Sequence, residues 1–261
     1  MNDPDYAIVA KDVGIKYDLR LKRRRTMRHT ITQIVRGDAA RSLGRDEFWA
    51  LQGVSFALKA KEVLAVVGGN GSGKSTLMLT VAGVLRPDAG ALTTYGRSAT
   101  LLTLGAGFQT ELTGRENIWL NAAFLGFGPD KIEAALPDII AFSELGEFIE
   151  APVSTYSTGM RSRLGFSVAA HLDPEILLLD EVLGVGDPSF KQKSQDKMQE
   201  LMARARAIVV VSHSPQFVQQ VATQVLWLDR GHVRAFGDAG PIMEEYAEFS
   251  KKARKPMKAV A

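Results

Sequence analysis

The sequence predicts an α/β fold with a mainly parallel central sheet, a small antiparallel β subdomain and an inserted helical subdomain. Short apolar segments at Val63–Val67, Ile176–Leu179 and Ile208–Val211 are separated by helical stretches, which is typical of buried parallel strands. In residues 51–58, side chains alternate in the period of two expected of a half-buried sheet. Residues 115–172 have a mostly helical pattern, which predicts the helical subdomain over about 105–172.

The elements follow one another in an order typical of a phosphate-binding α/β protein. Two predicted strands, residues 6–17 and 51–58, come first. The strand Val63–Val67 then leads through a glycine-rich turn into a helix that contains Ser75 to Val81. Near the end, two apolar segments separated by Asp229-Arg230-Gly231 predict a strand, a turn and a second strand.

Composition places the chain among ordinary globular proteins. It has 261 residues, of which 46% are hydrophobic and 23% charged, and it contains no cysteine. Disulfides, thiolate metal sites and cysteine nucleophiles are therefore excluded. No apolar run approaches the roughly 20 residues of a spanning helix, and the N-terminus lacks a signal-peptide pattern, so we expect a cytoplasmic protein. We expect one domain over residues 1–248 and a basic tail over 249–261.

Positive charge is concentrated in one segment, residues 20–46, which we call the basic insert. It holds nine Lys/Arg and two Asp, a charge of +7, within a chain whose net charge is +3. An apolar stripe within it (Met27, Ile31, Ile34 and Val35) is spaced for one face of a helix. The segment therefore predicts either a basic amphipathic helix on anionic lipid headgroups or a charged helix packed on its own domain.

Residues 68–75, Gly-Gly-Asn-Gly-Ser-Gly-Lys-Ser, match the pattern G-x-x-x-x-G-K-[ST] and are called the P-loop below. In such a loop, successive backbone N–H groups point into one concavity at a helix N-terminus. Lys74 then reaches the β- and γ-phosphates, and the Ser75 hydroxyl can ligate Mg²⁺. The alternative is a structural glycine turn. The predicted nucleotide contacts are Gly68, Asn70, Gly71, Ser72, Gly73, Lys74, Ser75 and Thr76.

Two adjacent carboxylates, Asp180 and Glu181, follow the apolar strand Ile176–Leu179. Ligands of α/β sheets bind at this end of the strands. Because successive strand side chains point to opposite sides, Asp180 can hold Mg²⁺ while Glu181 orients or deprotonates the attacking water. The alternative is a solvated acidic turn. His213 ends the next predicted strand and is a candidate for polarising the γ-phosphate or the water.

A third motif, Ser157-Thr158-Gly159-Met160-Arg161, precedes a helix with Leu164, Val168 and Leu172 on one face, so we expect Ser157 to cap that helix. Taken with the P-loop and the acidic pair, this motif resembles the signature of ABC transporter ATP-binding subunits. The resemblance runs from about residue 7 to about residue 240. It implies a homodimer that sandwiches two ATP molecules, with each site completed by residues 157–160 of the other chain.

The resemblance also implies roles for single residues. Asp187 matches the D-loop aspartate and His213 the switch histidine. Members of the family have a glutamine that senses Mg²⁺ and the membrane partner. Gln109 is assigned to that role, although counting back from Glu116 places Leu104 at the family position. Adenine is expected to stack on Tyr17, which sits at the family position, or on Trp49 beyond the basic insert.

Within that family, the sequence looks like the subunits that export bacterial O-antigen, capsule or teichoic acid. The signature begins Tyr-Ser-Thr-Gly-Met, residues 181–187 lack the usual proline, and the first strands are separated by a long segment. The resemblance implies an ATPase at the cytoplasmic face of the inner membrane, a permease partner and a polysaccharide on a lipid carrier. The alternatives are another cargo (lipid, drug or peptide) and a soluble ABC ATPase that acts on nucleic acid, a partner we do not expect.

Overall fold

The computed structural model describes residues 5–18, 47–96, 99–101, 107–172, 174–180, 188–212 and 214–254. The basic insert lies outside these ranges. So do Leu104, Glu181, Asp187 and His213, for which the roles above remain predictions.

The described residues form two sheets and two groups of helices. The strands are β1 Tyr6–Asp18, β2 Glu47–Lys59, β3 Val63–Val67, β4 Ala89–Thr94, β5 Ala99–Leu101, β6 Ile176–Asp180, β7 Ala207–Val211, β8 Gln224–Asp229 and β9 His232–Asp238. The helices are α1 Lys74–Val81, α2 Gly114–Phe124, α3 Pro129–Ser143, α4 Thr158–His171, α5 Pro188–Arg204, α6 Pro215–Val221 and α7 Ala239–Arg254, with short 3₁₀ turns at Gly146–Glu150 and Val153–Thr155.

The larger sheet has six strands in the order β5-β6-β7-β3-β8-β9. All neighbouring strands are parallel except the β8–β9 hairpin at one edge. Strand β3 lies between β7 and β8, and β7 is buried along its whole length. The predicted mainly parallel sheet is therefore confirmed, and burial on both faces explains why its strands are continuous apolar runs.

The smaller sheet is antiparallel, with the order β2-β1-β4, and confirms the predicted β subdomain. Its strands β1 and β2 form a hairpin whose last described pair is Asp18 with Glu47. The basic insert is therefore the connection of this hairpin. Strand β2 begins four residues earlier than predicted, since Glu47 to Ala50 carry no alternation of apolar and polar side chains.

Within the part of the chain that the structure describes, three buried apolar clusters hold the layers together. One lies between the smaller sheet, helix α1 and one face of the larger sheet. A second joins the opposite face of the larger sheet to α5, α6 and α7. The third lies within residues 107–172 and forms the core of the helical subdomain. Loss of water-accessible apolar area in these clusters is the main contribution to stability.

The helical subdomain starts with a capping box at Thr113. The Thr113 hydroxyl accepts the Glu116 N–H, and the Glu116 carboxylate accepts the Thr113 N–H at 2.8 Å. These hydrogen bonds hold the pKa of Glu116 below its ordinary value. Helix α4 begins in the same way, since Ser157 accepts the Met160 N–H at 3.2 Å. The predicted cap is confirmed, and Leu164, Val168 and Leu172 are buried as expected.

Residues 249–254, predicted as part of a basic tail, form the end of helix α7. This helix packs on the larger sheet, where Trp227 makes edge-to-face contacts with Tyr246 and Phe249, each with ring centroids 5.2 Å apart. None of the helices in the described ranges is both long enough and apolar enough to cross a membrane.

Candidate nucleotide-binding site

The P-loop connects the end of the central strand β3 to the start of helix α1. Gly73 precedes the helix in a left-handed conformation with φ of 105°. A Cβ atom there would lie 2.7 Å from the Ala50 carbonyl oxygen and 2.7 Å from Leu51 Cδ2. Both the backbone angle and the close approach of β2 therefore require glycine at this position.

Lys74 folds back over the loop that precedes it. Its ammonium group donates to the carbonyl oxygens of Gly68 at 2.9 Å and Gly69 at 3.0 Å. The first backbone N–H groups of α1 have no partner within the helix and are available to an anion. A cation and a row of amide donors thus surround one concavity, which suits phosphate oxygens.

The β8–β9 turn and strand β2 fix the loop from the side. Gly231 donates its N–H to the Ser72 carbonyl oxygen at 3.0 Å and accepts the Gln52 N–H at 2.9 Å. Ser72 is 4% exposed, whereas Asn70 and Ser75 are exposed to solvent. The loop therefore has a buried, anchored side and an open side at which a ligand can bind.

Strand register places Asp180 at the same edge of the sheet as the P-loop. Asp180 pairs with Val211 on β7, and Val211 pairs with Val66 on β3. Val66 lies two residues before Gly68, where the loop begins. Two strand spacings of about 4.8 Å separate the backbones of Asp180 and Val66. Asp180 and the exposed Ser75 hydroxyl both offer oxygen, the ligand that Mg²⁺ prefers.

The two candidate adenine platforms lie on opposite faces of the smaller sheet. Tyr17 stacks on Phe48, with ring centroids 5.7 Å apart, and packs against the cluster that contains Leu51. Trp49 lies on the outer face, where its Cζ3 is 2.8 Å from a Cβ position built on Gly14. Of the two rings, that of Tyr17 is on the face that also contacts the P-loop.

Gln109 is fixed to the helical subdomain through Asn117. The buried Asn117 amide accepts the Gln109 N–H at 2.8 Å and donates to the Gln109 carbonyl oxygen at 2.9 Å. It also donates to the carbonyl oxygens of Leu112 and Thr113. The Gln109 side chain remains exposed. Movement of the helical subdomain would therefore carry Gln109 with it.

The signature residues are held apart from the P-loop residues in the fold, on the helical subdomain. Ser157, Gly159 and Met160 line a cavity of about 240 Å³ whose other walls come from the same subdomain. Ser157 and Thr158 are exposed at the start of α4. The exposed hydroxyl groups and the helix N-terminus are free to face a second molecule, as an in-trans role requires.

Sequence reasoning missed two contacts near these residues. The first is the stacking of Phe48 on Tyr17. In the sequence, only the aromatic character of Phe48 could have suggested this contact. Glu144 is the other, since its carboxylate lies 2.7 Å from the ammonium of Lys193, a residue distant in sequence. Lys193 holds the pKa of Glu144 below its ordinary value.

Comparisons with known proteins agree with this geometry. Residues 51–184 match the family described as ABC transporter. Over 77% of its length, the chain is 44% identical to the O-antigen export system ATP-binding protein RfbB of Klebsiella pneumoniae, of which it covers 82%. It is 45% identical to the teichoic acids export ATP-binding protein TagH of Enterococcus faecalis, but spans only 45% of that relative.

Two solved structures share the fold. An ATP-binding subunit of an ABC transporter superposes with a TM-score of 0.66 at 21% identity, covering 92% of this chain and 93% of that one. A dimeric ATP-binding cassette in a post-hydrolysis state, bound to ADP and phosphate, gives 0.63 at 18% identity, covering 89% and 98%. These structures agree in fold, and the family match and the Klebsiella relative identify the chain: it belongs to the ABC transporter family, as one of its ATPase cassettes.

Proposed function

We propose that this cassette powers export of a lipid-linked polysaccharide, of the O-antigen, capsule or teichoic acid type, from the cytoplasmic face of a bacterial inner membrane. The observation that carries the cargo is the sequence identity of 44% and 45% to proteins named for O-antigen and teichoic acid export. Because those two polymers differ, the similarity supports polymer export as a class.

For the phosphates, we assign the P-loop and the first turn of α1. Lys74 exchanges the carbonyl oxygens of Gly68 and Gly69 for the β- and γ-phosphates, so its ammonium gives up two hydrogen bonds to neutral acceptors for bonds to negatively charged ones. The remaining phosphate oxygens accept backbone N–H groups of the loop and of Ser75 and Thr76. The proposed site is thus preorganised by its backbone, so little reordering accompanies ATP binding.

Hydrolysis is assigned to the carboxyl edge of the larger sheet. Ser75 and Asp180 would hold Mg²⁺, with Gln109 as the third proposed contact, and the ion would neutralise charge on the phosphates. Glu181 accepts a proton from the attacking water, and His213 donates to the γ-phosphate. The register of Asp180 with Val66, through Val211, supports this placement.

The adenine ring is assigned to Tyr17. Its ring and the P-loop lie on the same side of the smaller sheet, whereas Trp49 covers Gly14 on the other side. Offset stacking on Tyr17 would be extended by Phe48, whose ring is 5.7 Å away.

Two copies of the chain are proposed to close on two ATP molecules. Ser157, Thr158, Gly159 and Met160 of one copy would then bind the γ-phosphate held by the P-loop of the other, beside its Asp187. The exposed, capped start of α4 supports this arrangement. The dimer seen in one structural relative, with ADP and phosphate, supports it further.

A permease supplies the path through the membrane in this proposal. Gln109 would transmit nucleotide state to it, because the helical subdomain holds that residue. The basic insert would contact anionic headgroups or the diphosphate of the lipid carrier.

Hydrolysis and dimerisation test the catalytic part of the proposal. Glu181→Gln should bind ATP, turn it over far more slowly and accumulate as an ATP-bound dimer, measured by phosphate release and light scattering. Wild-type turnover in Glu181→Gln would remove Glu181 from the mechanism.

Cargo is tested in a bacterial strain whose exporter lacks its own ATP-binding subunit, supplied with this chain and its permease. Surface polysaccharide should return with the wild type and not with Lys74→Ala. Neutralising Arg23, Arg24 and Arg25 should impair export and spare basal hydrolysis, whereas neutralising the exposed Lys11, Lys59 and Lys191 should impair neither. Transport of a small lipid, drug or peptide without polymer export would refute the assigned cargo.

A further inference from the structure

Three charged side chains, Glu144, Arg163 and Lys193, connect three helices next to the signature residues and are called the polar joint below. Glu144 ends helix α3 in a left-handed conformation with φ of 55°. One carboxylate oxygen lies 2.7 Å from Lys193 Nζ on α5, and the other lies 3.6 Å from Arg163 Nη1 on α4. A single carboxylate therefore bridges the signature helix and the helix that follows Asp187.

The side chains of the polar joint also contact two aromatic rings, those of Phe142 and Phe190. Lys193 also donates to the Phe142 carbonyl oxygen at 3.2 Å, and its ammonium lies 4.5 Å from the centroid of the Phe142 ring. That ring meets Phe190 of α5 edge to face at 5.5 Å, and Arg163 lies 5.4 Å from the Phe190 ring. Both cations are thus held by rings as well as by the carboxylate, which restricts the directions in which α4 can move against α5.

Glu144 and Arg163 also lie next to the signature residues. Together with Phe148 they line the cavity that contains Ser157 and Gly159. Displacement of the carboxylate would therefore alter the wall of the cavity at the start of α4, as well as the distance between α4 and α5.

We infer that Glu144 is a positioning residue: through Lys193 and Arg163 it sets the angle of helix α4 relative to α5, and so the direction in which Ser157 faces the second copy of the chain. The inference rests on the proposed in-trans role of Ser157. Glu144 itself need not touch nucleotide, since it acts through the helix that carries Ser157.

The polar joint is partly exposed to solvent, so its residues can be substituted without unfolding the protein. The side chains of Lys193 and Glu144 are 37% and 45% exposed, and ion pairs this exposed contribute little to stability. We therefore expect Glu144→Gln to fold normally. The chain offers a matched control in Glu150, whose bridge to Arg115 at 2.6 Å stays within the helical subdomain and does not reach α5.

The experiment compares Glu144→Gln with Glu150→Gln, each in the full-length chain. ATP binding to the monomer, ATP-driven dimerisation in the Glu181→Gln background, and kcat and KM for hydrolysis are measured. We expect Glu144→Gln to leave monomer binding unchanged, to weaken dimerisation about threefold to tenfold and to lower kcat similarly. Glu150→Gln should match the wild type in all three.

Equal dimerisation and kcat in the two variants would overturn the inference, whatever their melting temperatures. Lys193→Gln removes the same ion pair by changing the residue on α5. If Glu144→Gln fails to fold, dimerisation and kcat of Lys193→Gln test the inference instead. A third variant, Ser157→Ala, separates this inference from the proposed function. Normal dimerisation in Ser157→Ala refutes the in-trans site, whereas loss in Ser157→Ala with none in Glu144→Gln refutes only the positioning role.

Discussion

The carbonyl oxygen of Ala50 lies 2.7 Å from the place that a Cβ atom on Gly73 would take. Strand β2 thus occupies the space that any larger residue at the start of α1 would need. Gly73→Ala should lower the free energy of unfolding by about 1–3 kcal/mol and abolish ATP binding, because the loop must shift away from β2. Urea unfolding and titration with a fluorescent ATP analogue measure the two effects.

Gly126 supplies the control for this substitution. It too has a positive φ, of 84°, but among the described residues no atom beyond its chain neighbours lies within 4 Å of a Cβ built there. Gly126→Ala should therefore cost only the left-handed strain, about 1 kcal/mol, and should retain ATP binding. Equal losses of binding in both variants would show that contact with Ala50 is not the cause.

Adenine recognition distinguishes the two aromatic candidates. Tyr17→Ala should weaken ATP binding about tenfold and leave the affinity for inorganic triphosphate unchanged, because the ring contributes only to the base. Trp49→Ala should change neither affinity, since Trp49 lies on the opposite face of the sheet. Calorimetric titration with both ligands checks this, and the reverse pattern would assign adenine to Trp49.

Asn117 is a buried polar side chain with all its hydrogen bonds made. Removing it leaves the Gln109 N–H without its partner. The carbonyl oxygens of Leu112 and Thr113 each lose one donor and keep a backbone N–H, from Val153 and Asn117 respectively. Asn117→Ala should cost about 2–4 kcal/mol of stability, measured by urea unfolding. Asn121→Ala, which removes one bond to the Asn117 carbonyl oxygen at 2.9 Å, should cost less than about 1.5 kcal/mol. A smaller loss in Asn117→Ala than in Asn121→Ala would contradict this account.

Acid should weaken the bond between Glu144 and Lys193. Lys193 lowers the pKa of Glu144 from its ordinary value of 4.5, so the pair stabilises the folded state fully above that pH. Its contribution, less than about 1 kcal/mol for so exposed a pair, is lost as the pH falls through the lowered folded pKa. The stability difference between wild type and Glu144→Gln, followed by urea unfolding, should be present at neutral pH and vanish in acid.

Much of the fold could be predicted because its central strands are buried on both faces. Ile176–Leu179 and Ile208–Val211 are unbroken apolar runs for that reason, and their bounds match β6 and β7 within one residue. Strand β4 was missed, since Ala-Gly-Ala-Leu-Thr-Thr at an exposed sheet edge carries little apolar signal. Helix α7 was also missed, and its packing against Trp227 is a tertiary contact that no local pattern encodes.

Some parts of the candidate site could likewise be predicted from local sequence, and others could not. The P-loop and the Ser157 cap depend on local chemistry, so spacing alone predicted them. The faces of Tyr17 and Trp49 could not be predicted, because irregular pairing opposite Ile15 and Lys16 leaves an extra residue in β2 and interrupts the alternation along that strand. The joint at Glu144 brings together residues far apart in sequence, whose distance only the folded chain fixes.

Because Asp18 and Glu47 are paired across two strands, the basic insert enters and leaves the fold at one point. Such partners lie about 4.5–5.5 Å apart, a gap that a two-residue turn spans. We therefore expect that an Asn-Gly pair can replace residues 19–46 without changing the strand register. The rest of the cassette is thus expected to fold whether residues 19–46 are present, shortened or replaced.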